Sequence, residues 1–474
     1  MSMQLDAVLA TTGTKFRLFA QSRFLPSFSV PEIVNVSQPP GSISAGPEDN
    51  RMFVVDATNK IPYGMPGALD PQQTGQRLPP VPPGPEGHFD HIDPNSREFK
   101  STTMYATVRR TLDILQDYHG GRIEWVFRAT FPKMLLIPAV EWDNAQSGFG
   151  FLEFGFGRDQ FGGIDHNSPF CENFDVLSHE IGHNILFTLV GVPNNETNTD
   201  EYGGFQESGA DLTAIVAVLH FNSVVDHVLE NSKGNLFTVN ELSRLGELAN
   251  GHEIRRAFNA LKMSDVNNEP HNLSQPLTGA IFDIFVDAFQ MELVSRGLIT
   301  QQLADRSQFG RAPASELPAI NAAFAAAYAG HEAEFKTALL TARDYLGRLL
   351  AKTWFALSPD FLTYTQVLSG ILDADQDLTG GKHANSIREC FTWREIVALL
   401  PHRLMIRRLR ECGMDEVRET SAEGDHADAT PSSPTAEAAT ALPFIEGHTS
   451  NGGPKPMPMK KGSRQTRVMV PAKL

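Results

Sequence analysis

Two short stretches restrict the fold of this chain more than anything else in it. The first, DVLSHEIGHNILF (residues 175–187), sets His179 and His183 four apart, with Glu180 directly after the first histidine. The second, GGFQESGADLTAIVAV, sets Glu207 and Asp211 four apart at the start of an apolar run. On an α-helix, residues four apart share a face. Each stretch therefore predicts a helix that is apolar except for two polar side chains on one side. Burying four such groups on separate helices is costly unless something pairs with them. One cation placed between the helices meets that need. His179, His183 and Glu207 supply three ligands of a Zn²⁺ site with an open position. Asp211, one turn on, can accept the hydrogen bond of a ligating imidazole and fix its tautomer. Glu180 is turned about 100° from His179 and flanks the ion, as a general base acting on water requires. The competing reading is an amphipathic helix whose two histidines are hydrogen-bonded core residues. The second polar pair at matched spacing argues against it.

The rest of the chain suits an α+β protein with a sheet-bearing unit before a helical one. Residues 1–76 mix short apolar runs with Pro and Gly and give no clear role. RLPPVPPGPEGHFDHIDPN (77–95) holds six prolines, which exclude regular helix and central strand and predict a surface connector. In the next segment Met104, Val108, Leu112, Leu115 and Tyr118 fall on one helical face, and Gly120-Gly121 stops the helix. IEWVFRATF, MLLIPAVEW and FGFLEFGF read as strands. From about Asn173 to Leu400 the pattern is almost wholly helical. The expected units are therefore a sheet-bearing lobe with the HExxH helix over 96–275, a helical lobe over 276–412 and a disordered tail over 413–474. That tail is acidic first and then basic. The net charge of −16 argues against a nucleic-acid partner. No run of eighteen apolar residues predicts a membrane span. Cys171, Cys390 and Cys412, an odd and scattered set, form no disulfide framework.

With HEIGH and QESGAD placed, the chain resembles the thermolysin-like gluzincin zinc metallopeptidases, over roughly residues 96–400. The metzincin pattern does not fit, because Leu186 and Leu189 stand where it needs glycine and histidine. The resemblance implies a two-lobed zincin fold, with the active-site helix between the lobes. It also implies an edge strand that binds extended substrate, in which VEWDNAQSGFGFLEF supplies Asn144 and Ala145. EPHNLSQPLTGAIFDIF resembles the family's late histidine segment. His271 would then donate to the oxyanion, Asp265 would orient it, and Tyr202 would be a second oxyanion donor. Val176 would help line an apolar pocket for the residue after the cut. The chain departs from the family in a longer interval between His183 and Glu207, filled by GVPNNETNTDEYGGF. Asp175 matches a calcium-binding aspartate, but its acidic partner is replaced by the apolar stretch around Val218, so calcium is not expected there. DADQD (373–377) lacks the glycine and glutamate of an EF-hand loop. His88, Asp90, His91 and Asp93 lie in the proline-rich connector, with no rigid element to make a second metal site.

The expected activity is that of a zinc metalloendopeptidase with one catalytic ion, acting as a monomer on protein or peptide substrates. Two rivals remain. A gluzincin aminopeptidase normally carries a Gly-x-Met-Glu-Asn element, absent from this sequence. A non-catalytic, metal-bearing scaffold of the same fold has no need of Glu180. No signal peptide or long pro-segment is visible. The expected location is thus the cytoplasm, or outside the cell by a signal-independent route. The N-terminal region could act as a short inhibitory segment.

Overall fold

A computed structural model describes residues 2–396, apart from 59, 65–75, 239, 241, 243, 246–254 and 309–312. The expected tail, 413–474, lies outside the described residues, as does the end of the expected helical unit beyond 396. Helices and sheets are both present, as an α+β protein requires. The chain opens with helix α1 (Ser2–Thr12) and an antiparallel hairpin of β1 (Thr14–Leu18) and β2 (Glu32–Val36). Strand β3 (Met52–Val54) and helix α2 (Arg97–His119) follow, then β4 (Met134–Ile137), β5 (Ala145–Gly148) and β6 (Phe151–Phe154). These strands form a four-stranded sheet in the order β3-β4-β6-β5. The β3–β4 and β4–β6 pairs are parallel, and β5 runs antiparallel to β6 at the edge. A bulged hairpin of β7 (Phe156–Arg158) and β8 (Ile164–Pro169) leads into helix α3 (Phe174–Leu189).

The remainder is helical: α4 (Asp200–Val218), α5 (Asn222–Ser232), α6 (Pro270–Ser295), α7 (Gln301–Ser307), α8 (Leu317–Tyr328), α9 (Glu332–Ala356), α10 (Tyr364–Thr379) and α11 (Ala384–Trp393). Gly120 stops α2 in the left-handed conformation, at φ 75°, and its N–H returns to the Gln116 carbonyl. Helix α2 is buried along nearly its whole length because α3, α9 and the β1–β2 hairpin all pack on it. Among the described residues no single helix is long and apolar enough to cross a membrane.

Several expectations need correction. IEWVFRATF is not a strand: Trp125 and Phe127 are buried, but residues 125–131 turn back on themselves through the Arg128, Thr130 and Phe131 amides. Burial of aromatics alone produced the strand-like pattern. Phe16, Leu18 and Val36 are fully buried in the main core, and β3 supplies one strand of the sheet. The proline-rich connector has no helix or ladder strand, yet it is docked. Phe89 stacks on Phe16 at 4.9 Å, and Val81 accepts the Gly46 amide. One apolar cluster runs from Phe16 through Leu112 and Ile181 to Trp354 and Ile371, so the core is continuous from sheet to helices.

Candidate metal centre

Helix α3 begins where Asn173 accepts the amides of Asp175 and Val176 at 3.1 and 3.2 Å. Helix α4 begins at Thr199, whose hydroxyl accepts the Tyr202 amide at 3.0 Å. The two helices approach closely because glycine faces the seam from both sides. A Cβ on Gly182 would lie 2.9 Å from the Ala210 Cα, and one on Gly209 would lie 2.6 Å from Leu186 Cδ1. Larger residues would push the helices apart and separate the polar pairs.

At that distance the pairs converge. His179 Nε2 and His183 Nε2 are 3.1 Å apart. Glu207 reaches His179 Nε2 with Oε2 at 3.4 Å and His183 Nε2 with Oε1 at 3.7 Å. His179, His183 and Glu207 are all buried, and they form the one such group among the described residues. Ligands bound at about 2.0–2.1 Å in a tetrahedron stand about 3.3 Å from one another. The observed separations bracket that edge. His179 Nδ1 donates to Asp211 Oδ1 at 2.8 Å, which leaves the Nε2 lone pair turned toward the cluster. The donor set therefore fits a divalent ion such as zinc. Glu180 shares α3 with both histidines and is 1% exposed.

The other expected residues divide. His271, in the first turn of α6, comes to the site: its Nε2 lies 3.4 Å from Glu207 Oε2. Asp265 does not orient it. Asp265 is exposed, and its Oδ2 accepts the Lys262 amide at 3.0 Å, closing a single 3₁₀ turn. Glu269 stands in its place. One oxygen accepts from His271 Nδ1 at 2.6 Å and the other accepts the Asn272 amide at 2.9 Å. Burial works against the charged form, but these hydrogen bonds and the imidazole hold the Glu269 carboxyl below its usual range. The Glu-Pro-His order could have disclosed this, because proline favours the first helical position and leaves Glu269 as the cap.

Tyr202 is not an oxyanion donor in this structure. It precedes Glu207 by five residues, which places it about 140° round the helix. Its hydroxyl donates to the Gly191 carbonyl at 2.8 Å and accepts from Gln206 Nε2 at 2.9 Å, and burial raises its pKa. Ala145 opens β5, the edge strand packed on α3, and Asn144 immediately precedes it. Asn144 Oδ1 accepts the Ala145 amide at 2.9 Å. Val176 is buried in the first turn of α3, on the side that carries His179 and His183. Asp175 accepts Gln21 Nε2 at 3.3 Å. DADQD belongs to α10, where Asp375 caps the His383 amide at 3.0 Å and Asp377 pairs with Lys352. In the proline-rich connector His88 Nδ1 accepts the Lys15 amide at 3.2 Å. Sequence reading missed Ser147 on β5 and Asn184 on α3, two buried polar residues of elements that pack on each other.

No protein-family model matches the chain, and no curated protein matches it. Among solved structures, the precursor of protealysin, a metalloproteinase from Serratia proteamaculans, matches at 16% identity and a TM-score of 0.39. The match covers 75% of this chain and 89% of that one.

Proposed function

We propose that this chain is a zinc metalloendopeptidase that hydrolyses internal peptide bonds. The observation that carries the reading is the convergence of His179, His183 and Glu207 at tetrahedral spacing, with Glu180 on the same helix as the two histidines. A zinc ion held there supplies Lewis acidity and lowers the pKa of water toward neutrality. Glu180 accepts the proton of the attacking water and delivers it to the departing amine. As an imidazolium, which donates from both ring nitrogens, His271 gives one hydrogen bond from Nε2 to the carbonyl oxygen as negative charge gathers on it and one from Nδ1 to Glu269, which holds the ring. The edge strand β5, with Asn144 and Ala145, offers backbone to an extended peptide, and Val176 shapes the subsite after the scissile bond.

Glu180→Gln tests this directly. The variant keeps its metal, while cleavage of casein or of an internally quenched peptide falls by about 10²–10⁴-fold. Wild-type turnover by that variant sinks the mechanism.

One observation favours a second reading, a metal-bearing scaffold without catalysis. His179, Glu180, His183 and Glu207 are between 1% and 4% exposed, so a peptide reaches them only after the site opens. Stoichiometric zinc with no hydrolysis across a diverse peptide library selects the scaffold.

A further inference from the structure

The side of α3 that carries Glu180 faces the sheet. Gly182 and Leu186 meet α4, and Ser178 meets α2 through Thr111 at 3.0 Å. At about 100° per residue these contacts occupy one half of the helix, and Glu180, Asn184 and Thr188 occupy the other. On that half Thr188 Oγ1 accepts the Val126 amide at 3.3 Å, and α3 packs on β5. From the strand, alternation sends Ala145 and Ser147 toward α3, since Ala145 and Leu152, the cross-strand partner of Ser147, belong to the main core. Gln146 points the other way and meets Glu153 and the Tyr63 carbonyl.

Asn184 on α3 and Ser147 on β5 thus belong to the faces of two elements that pack on each other. Asn184 is 0% exposed and Ser147 2%, and neither the Asn184 amide atoms nor Ser147 Oγ has a hydrogen-bond partner. A buried amide left in that condition destabilises the fold, and leucine would fill the space without the penalty. Asn184 lies one helical turn beyond Glu180, where side chains are neighbours. Buried waters typically make about three hydrogen bonds to such groups. An amide, a hydroxyl and a carboxylate supply that number.

We propose that Asn184 and Ser147 are positioning residues for Glu180. They hold one water between α3 and β5, and that water fixes the Glu180 carboxylate in the orientation that faces the metal ligands. The inference rests on the reading of Glu180 as general base.

The test uses the full zinc-loaded chain and the variants Asn184→Leu, Ser147→Ala and their double. Zinc content, Tm, and kcat and KM on an end-blocked peptide are measured together. Asn184→Leu is expected to keep its zinc and to melt no lower than wild type. It is also expected to lose at least about tenfold in kcat, with KM within about twofold. Asn184→Ser, which keeps a donor and an acceptor, recovers part of the loss. The double variant is no slower than Asn184→Leu alone, because both residues act through one water. Wild-type kcat in Asn184→Leu overturns the proposal, as does loss of zinc or a markedly lower Tm in that variant. Multiplying kcat losses in the double variant do the same. If the wild-type chain cleaves nothing, the peptidase reading falls, and the seat is judged by Tm: non-additive shifts support it and additive shifts overturn it.

Discussion

Two polar clusters in this protein, one partly exposed and one buried, answer charge in opposite ways. In the first, joining α1, α2, α9 and the residue after Leu219, donors and acceptors alternate. Arg110 and His220 both meet Asp6, the Tyr118 hydroxyl lies 3.0 Å from His220 and donates to Asp344, and Arg343 closes the chain on Asp344. Arg110 meets Asp6 and Arg343 meets Asp344, so the charges of this network are answered by protein groups. In the second, between α3 and α4, two imidazole nitrogens face each other at 3.1 Å and a carboxylate closes the triangle. Three electron-pair donors are aimed at one point. That arrangement could hold a cation, and the contrast separates an ion network answered by protein charges from a candidate metal centre.

Glu207→Ala should abolish metal binding and peptidase activity together, whereas Arg110→Ala should lower Tm and leave the metal content unchanged. Parallel Tm and elemental measurements check both. Next, Glu269→Ala should cost about 10–100-fold in activity, since an unsupported imidazole loses its orientation, while zinc stays bound. A loss confined to Tm would reduce Glu269 to a helix cap.

A pH effect comes third. Burial pushes His220 down to about 4, against the pull of Asp6 and together with repulsion from Arg343 and Arg110. His220 is therefore held neutral in the fold, so its contribution is present above about 6.5 and lost as pH falls through 4. His220 and Arg110, outweighing burial, hold Asp6 near 2, which extends the acid loss to lower pH. His220→Gln should flatten the fall in Tm between pH 6.5 and 4. An unchanged slope contradicts the assignment. The smallest effect concerns Tyr202→Phe: it loses the bond to Gly191, costs about 0.5–1.5 kcal/mol of stability and leaves kcat within about twofold. A large kcat loss would return Tyr202 to the active site.

What could be read from the sequence follows from which forces act locally. The helices around HEIGH and QESGAD, and the stop at Gly120, depend on spacing within a few residues and were legible. Strand β3 was not, because Met52–Val54 is only three residues long and pairs with β4, some eighty positions away. Trp125 and Phe127 misled because burial and strand pairing favour the same side chains. At the site, matched i,i+4 pairs pointed to the residues that converge between α3 and α4. Tyr202 and Asp265 were misjudged because the test there is angular: five residues turn a side chain away, while a capping glutamate two residues before His271 reaches its ring. Asn184 and Ser147 carry no motif, and only the facing of α3 on β5 brings them together.

Whether α3 and α4 hold a metal ion between His179, His183 and Glu207 is decided by elemental analysis of the purified wild-type chain beside Glu207→Ala. About one zinc per chain in the wild type, and close to none in the variant, is the predicted result. A metal-free wild type, or a variant that keeps its full complement, contradicts it.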